Sequence, residues 1–202
     1  VWDGHGSGGI DVACLHANAY FIPRGPITPP YFLDEGIDAL FFVGQHAMAG
    51  TPDAPLSHTY SSKTIEYYKL NGIMMGEFGC RAALAGSFGI PTVFISGDDK
   101  AVAEARALVP EIYSAVVKEG RGIEMAIHLA PTRACQLIRK VAAEATAHID
   151  DIAPFVLDPP YTQEIRLLKN VDVSSYRRRP GVRQRDERTF MLQSDDLCDL
   201  RI

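Results

Sequence analysis

The tightest constraint on this chain is the apolar run Ala39-Leu40-Phe41-Phe42-Val43, closed by Gly44 and followed at once by Gln45-His46. Consecutive apolar residues with no polar alternation match a strand buried on both faces. Gly44 is expected to end that strand, which puts His46 in the loop just past a strand's C-terminal end. In open α/β sheets that edge is where ligand sites are built. A second histidine, His58, follows a Gly/Pro-rich loop, and a carboxylate, Glu77, follows the turn at Gly76.

Strand-like and helix-like segments alternate on both sides of this stretch. Residues 57–70 are rich in Thr, Tyr and Ile and read as a strand. Asn71-Gly72 signals a two-residue hairpin turn, with 73–75 returning from it. Residues 77–88 carry the apolar spacing of a helix, and 91–96 that of a buried strand. Asp98-Asp99 caps a helix over 100–108 with carboxylates at its positive end. Residues 112–117 read as a strand, and 132–148, behind Pro131, as the longest helix. Upstream, 1–2 is a strand stub, 10–16 a short helix, 19–22 a strand, and 29–35 a short helix opened by Pro29-Pro30. The texture changes near Pro154, giving strands at 162–168 and 189–192 around an arginine-rich turn. Such alternation predicts an α/β fold with a Rossmann-like sheet flanked by helices. The expected division is a catalytic α/β domain over residues 1–153 and a smaller α+β part over 154–202.

A formal net charge of -5 over 202 residues gives no case for nucleic-acid binding. The local cluster of Arg177, Arg178, Arg179, Arg183, Arg185 and Arg188 reads as a solvated loop or a subunit contact rather than a phosphate track. Cys14, Cys80, Cys135 and Cys198 are widely spaced without a C-x-x-C, which fits a reducing cytoplasm. No apolar run approaches the roughly 20 residues of a membrane helix, so no membrane partner is expected. The chain opens on Val1 rather than Met and reads as a piece of a longer one.

Gly4, Gly6 and Gly9 spell G-x-G-x-x-G, but the strand before them is a stub and the helix after them meets Pro23. A dinucleotide site, and with it an oxidoreductase, is therefore a weak reading. The glycines more simply let the backbone turn while Asp3 and His5 point into a site. His5, His46 and Glu77 have the chemistry of zinc ligands. Taken singly, a loop histidine is more often a hydrogen-bonded surface group; taken together, in similar Gly-flanked settings, the three are candidate ligands. His58 is either a packing histidine or a group for acid–base work near neutral pH. Helix capping accounts for Asp98 and Asp99, and His16, His128 and His148 are taken as structural.

Asp3-Gly4-His5-Gly6, Gly44-Gln45-His46-Ala47 with Thr51-Pro52, Ser57-His58, Gly76-Glu77-Phe78-Gly79 and Ser96-Gly97-Asp98-Asp99 occur in this order. Together they resemble the bacterial zinc-dependent D-aminopeptidases of the dipeptide-transport operon type. The resemblance implies a metallo-aminopeptidase, a hydrolase releasing N-terminal D-amino acids from short D-amino-acid peptides. It implies two zinc ions per site, with His5 on one, His46 and Glu77 on the other, and His58 as the catalytic histidine. It also implies a ring-like homo-oligomer such as a decamer. The family's N-terminal Asp-x-Glu-Gly motif, whose Asp bridges the metals, is not found in this sequence, so weak or single-site zinc binding is expected. The alternative is a catalytically inactive homologue that keeps the fold as a binding or structural protein.

Overall fold

The computed structural model describes residues 1–4, 9–23 and 28–200. Two sheets share one helix between them. The first has the order β1-β4-β5-β6, formed by β1 (Leu40–Gln45), β4 (Thr92–Asp98), β5 (Tyr113–Gly122) and β6 (Met125–His128). β1, β4 and β5 run parallel, and β6 pairs antiparallel with β5. β4 lies between two parallel neighbours and every one of its residues is buried, as expected where helices cover both faces of a parallel sheet. β6 had no counterpart in the sequence reading, because four residues with mostly exposed side chains leave little periodic signal.

The second sheet has the order β3-β2-β7-β9-β8 and is antiparallel throughout. Its strands are β2 (Ile65–Leu70), β3 (Ile73–Met74), β7 (Tyr161–Leu167), β8 (Arg183–Gln184) and β9 (Thr189–Ser194). It thus draws residues from both sides of position 154. The Asn71-Gly72 turn joins β2 to β3 with both residues at positive φ, 50° and 80°, the two-residue hairpin geometry that this dipeptide favours. Arg185 and Arg188 of the basic cluster pair with Glu164 and Glu66 on this sheet.

Helix α1 (Glu77–Ser87) is the shared element. Phe78 and Ala82 pack with Val93, Phe94 and Ile95 of β4 in one core. Cys80, Ala83 and Leu84 pack with Tyr68, Leu70, Ile165, Leu167 and Phe190 of the second sheet in the other. A helix covered on two sides needs small residues, and α1 supplies Gly79, Ala82, Ala83, Ala85 and Gly86. At Gly86 a Cβ would run into the carbonyl of Phe155. Helices α2 (Asp99–Leu108) and α3 (Pro131–Ala147) complete the first layer. Val102, Ala105 and Ala145 join the β4 core. Burial of each large apolar side chain there contributes about 1.5–3 kcal/mol.

Several expected elements shrink or dissolve. Residues 57–64 are not strand; they belong to the His46 loop, and β2 begins only at Ile65. The 29–35 helix is instead a run of turns, with Tyr31 and Phe32 at positive φ, 56° and 65°, a conformation no right-handed helix contains. The 10–16 helix is a single 3-10 turn, Val12–Cys14. Of residues 19–22 only Ile22 pairs, in an isolated parallel bridge to Trp2. β1 does not stop at Gly44: the register slips between Val43 and Gln45, and Gly44 sits in that slip at φ 78°. Its N–H donates to the Ser96 hydroxyl at 3.1 Å in place of a ladder bond.

Among the described residues no helix is long and apolar enough to cross a membrane. All four cysteines are free thiols.

Candidate metal centre

His46 follows directly on β1, at the C-terminal edge of the parallel sheet. The loop it opens folds back on itself: the His58 N–H donates to the Ala47 carbonyl at 3.2 Å, and the Ala49 N–H to the Thr59 hydroxyl at 3.1 Å. The fold-back is tight. Asp53, Leu56 and Tyr60 all take positive φ, near 55°, at a cost on the order of 1–2 kcal/mol each. The outcome is that His46 and His58 stack face to face, ring centroids 3.9 Å apart and planes 18° from parallel.

Glu77 enters from the other side as the first residue of α1, where the helix's positive end favours a carboxylate. Its Oε1 accepts the Tyr60 N–H at 2.8 Å. The same oxygen lies 3.6 Å from His46 Nε2 and 3.5 Å from His58 Nε2. One donor atom from each of His46, His58 and Glu77 falls within 4.8 Å of the others. The three side chains are only 11–19% exposed, so the cluster is sheltered yet reachable.

Backbone carbonyls orient both rings. His46 Nδ1 is 3.0 Å from the Ala47 oxygen, and His58 Nδ1 is 2.8 Å from the Leu56 oxygen. A carbonyl only accepts, so each Nδ1 carries the proton, and in the neutral ring the lone pair sits on Nε2, facing Glu77. Two imidazole nitrogens and a carboxylate oxygen, with tautomers set from behind, make a donor set that suits zinc.

Other residues singled out from sequence fall elsewhere. His5 lies outside the described residues. Asp3 is buried and accepts the Gly9 N–H at 3.3 Å. Trp2, beside Asp3, is stacked on Tyr31, and both rings lie against the Arg81 guanidinium, one helical turn beyond Glu77. The N-terminal segment is therefore moored next to α1. Asp98 caps α2 by accepting the Lys100 and Ala101 N–H groups, and Asp99 accepts from Lys100 Nζ and the Gly120 N–H.

Sequence reasoning missed Glu104. It lies on α2 three residues past Ala101 and four before Leu108, on the helix's apolar face, and a carboxylate in that register is the signal that marks it. Its Oε2 accepts the Met48 N–H at 2.7 Å, while Oε1 is buried without a hydrogen bond of good geometry. Burial pushes its carboxyl up to about 7; the Met48 and Gly76 amides pull it down, and the charges of Asp98 and Glu77 push it up again. A raised acid binds its proton more tightly folded than unfolded. The associated stability is therefore complete below the ordinary value of 4.5 and lost as pH rises through about 7. Relative to Glu104→Gln, the native chain should lose about 3 kcal/mol across that window. Thermal unfolding of the two chains from pH 4.5 to 8 measures the difference; a pH-independent gap would mean that Glu104 does not titrate there.

The fold is a helix-flanked α/β sheet joined to an antiparallel one, with a His–His–Glu centre at the sheet's edge. The sequence profile of the D-aminopeptidase family matches residues 1–201. The chain belongs to that family. A D-aminopeptidase of Bacillus subtilis (strain 168) is 33% identical over 150 residues, which is 72% of this chain and 53% of that protein. The chain thus spans about half the length of the curated relative it matches. The solved structure of the Zn-dependent D-aminopeptidase DppA from Bacillus subtilis, described as a self-compartmentalizing protease, superposes with a TM-score of 0.84 at 25% identity. The match covers 93% of this chain and 69% of DppA.

Proposed function

We propose that the chain carries the site of a zinc-dependent aminopeptidase that releases N-terminal D-amino acids from short D-amino-acid peptides. The observation that carries this reading is the convergence of His46, His58 and Glu77 within 4.8 Å, in a member of the D-aminopeptidase family. In this reading His46 Nε2 and a Glu77 oxygen would hold one zinc and His5 a second, with Asp3 an uncertain neighbour of the site. When bound, zinc would supply Lewis-acid polarisation and a more acidic water.

The chain's own groups do the rest. His58 Nε2 takes the proton of the attacking water, and the Leu56 carbonyl keeps Nδ1 protonated while it does so. The imidazolium formed is stabilised by the Glu77 carboxylate 3.5 Å away. The proton then passes from His58 Nε2 to the departing amine, and the base is restored. Tyr60's amide holds Glu77 Oε1 in place throughout.

We also propose that the protein works as a homo-oligomer. The self-compartmentalizing character of DppA supports this, as do Ile123, Met125 and Ile127, exposed in and beside edge strand β6.

The deciding experiment is zinc analysis combined with hydrolysis of a D-alanyl amide and its L-enantiomer. Zinc-dependent hydrolysis of the D-substrate is the expected result. A chain that takes up zinc but cleaves neither would be the inactive homologue that keeps the fold as a binding or structural protein.

A further inference from the structure

We infer that Glu104 is a positioning residue: its one carboxylate holds the loop bearing His46 and the helix start bearing Glu77 at a fixed separation. The inference rests on the proposed metal-binding role of those two side chains.

Glu104 works through the main chain. It reaches the backbone beside each of the two side chains. Oε2 accepts the N–H of Met48, two residues past His46, at 2.7 Å. Oε1 occupies the space in front of Gly76, the residue before Glu77 and the N-cap of α1. A Cβ on Gly76 would overlap Oε1, and it would lie 3.1 Å from Glu104 Cδ and 2.9 Å from Met48 Cβ. The missing side chain at Gly76 is what lets loop, helix start and carboxylate meet. The bond to Met48 is short and partly buried, and removing its acceptor takes that partner from the amide.

Against α2 the apolar contact of the loop is slight. Its apolar anchor is a small cluster of three alanines, Ala47 and Ala54 against Ala101 of α2. Three methyl groups fix position poorly compared with a core of large side chains. Its other ties outside the loop run from the Tyr60 N–H to Glu77 Oε1, from the Leu168 N–H to the Thr64 carbonyl, and from the Leu56 N–H to the Ile123 carbonyl, and none of these holds the segment just past His46. Glu104 is also retained although Oε1 lacks a good partner, which costs stability. An apolar side chain would fill that place without the cost but could not hold the Met48 amide. Partners behind metal ligands of this kind change metal affinity by about 10–100-fold when removed.

The test compares four forms of the 202-residue chain: native, Glu104→Ala, Glu104→Gln and Val102→Ala. Val102, buried in the β4 core on the same helix, controls for lost stability alone. Two readouts are taken: zinc affinity by chelator competition, and, without zinc, hydrogen exchange of the Met48 amide with the His46 imidazole signal. Glu104→Ala should weaken zinc binding by about 10–100-fold, speed Met48 exchange and broaden the His46 signal. Glu104→Gln keeps an oxygen for the Met48 amide and should restore all three, and Val102→Ala should leave them native. A native response from Glu104→Ala would overturn the inference, as would equal losses in Val102→Ala. If the native chain binds no zinc, the metal reading fails, and the Met48 and His46 signals still decide the role of Glu104.

Discussion

Replacing His58 with alanine should leave zinc in place and lower turnover by about 10²–10⁴-fold, whereas His46→Ala should lose metal and turnover together. A ligand and an acid–base group fail differently, because removing a ligand lowers metal affinity itself. Geometry alone does not separate the two histidines: both present Nε2 to the same Glu77 oxygen, at 3.6 and 3.5 Å. Their attachment does differ. His46 stands at the end of β1, while His58 hangs on a fold-back held by hydrogen bonds to Ala47 and Leu56. Metal content and D-alanyl amide hydrolysis of the two purified variants decide the matter. Equal zinc loss in both would make His58 a ligand and leave the proton transfer to another group.

Gly97→Ala should be the most damaging single methyl near the site. Gly97 pairs with Gln45 across β1 and β4. A Cβ there would overlap the Gln45 carbonyl oxygen and lie 3.1 Å from its carbon. The obstacle is backbone against backbone, so no rotamer change relieves it. The end of β1 would have to move away from β4, and His46 is the next residue. Overpacking of this kind costs about 1–3 kcal/mol, which in a chain of this size lowers the melting temperature by roughly 2–12 °C. Zinc affinity should fall in parallel, since the displaced segment carries a proposed ligand. Calorimetry and zinc titration of the variant test both parts. A melting temperature and affinity equal to the native values would show that the strand ends are free to separate without consequence.

Elements with strong local signals were legible without coordinates. The all-buried run at β4, the Asn71-Gly72 hairpin, the Asp98 cap of α2 and the Pro131 start of α3 each follow from residues close together in the chain. Where two signals competed, the longer-range one won. Residues 57–64 have strand-like composition, yet the pairing of His58 with Ala47 and of Ala49 with Thr59 pulls them into the loop. The 29–35 segment has a helix-opening proline pair, but Tyr31 turns its ring onto Trp2 and Arg81 instead.

The sequence by itself determined the kind of chemistry: two histidines and a glutamate beside glycines, at strand and helix ends, in an order that marks the family. Local rules suffice for that, because strand ends and helix starts are set by the residues on either side of them. Only the tertiary structure decided that His46, His58 and Glu77 share one oxygen's surroundings, since their distances depend on a fold-back with three positive-φ residues and on a helix wedged between two sheets. Only it revealed Glu104, whose Met48 amide partner is 56 positions away in the chain and whose Gly76 neighbour is 28 positions away. Contacts of that span are selected by packing, and no local propensity encodes them.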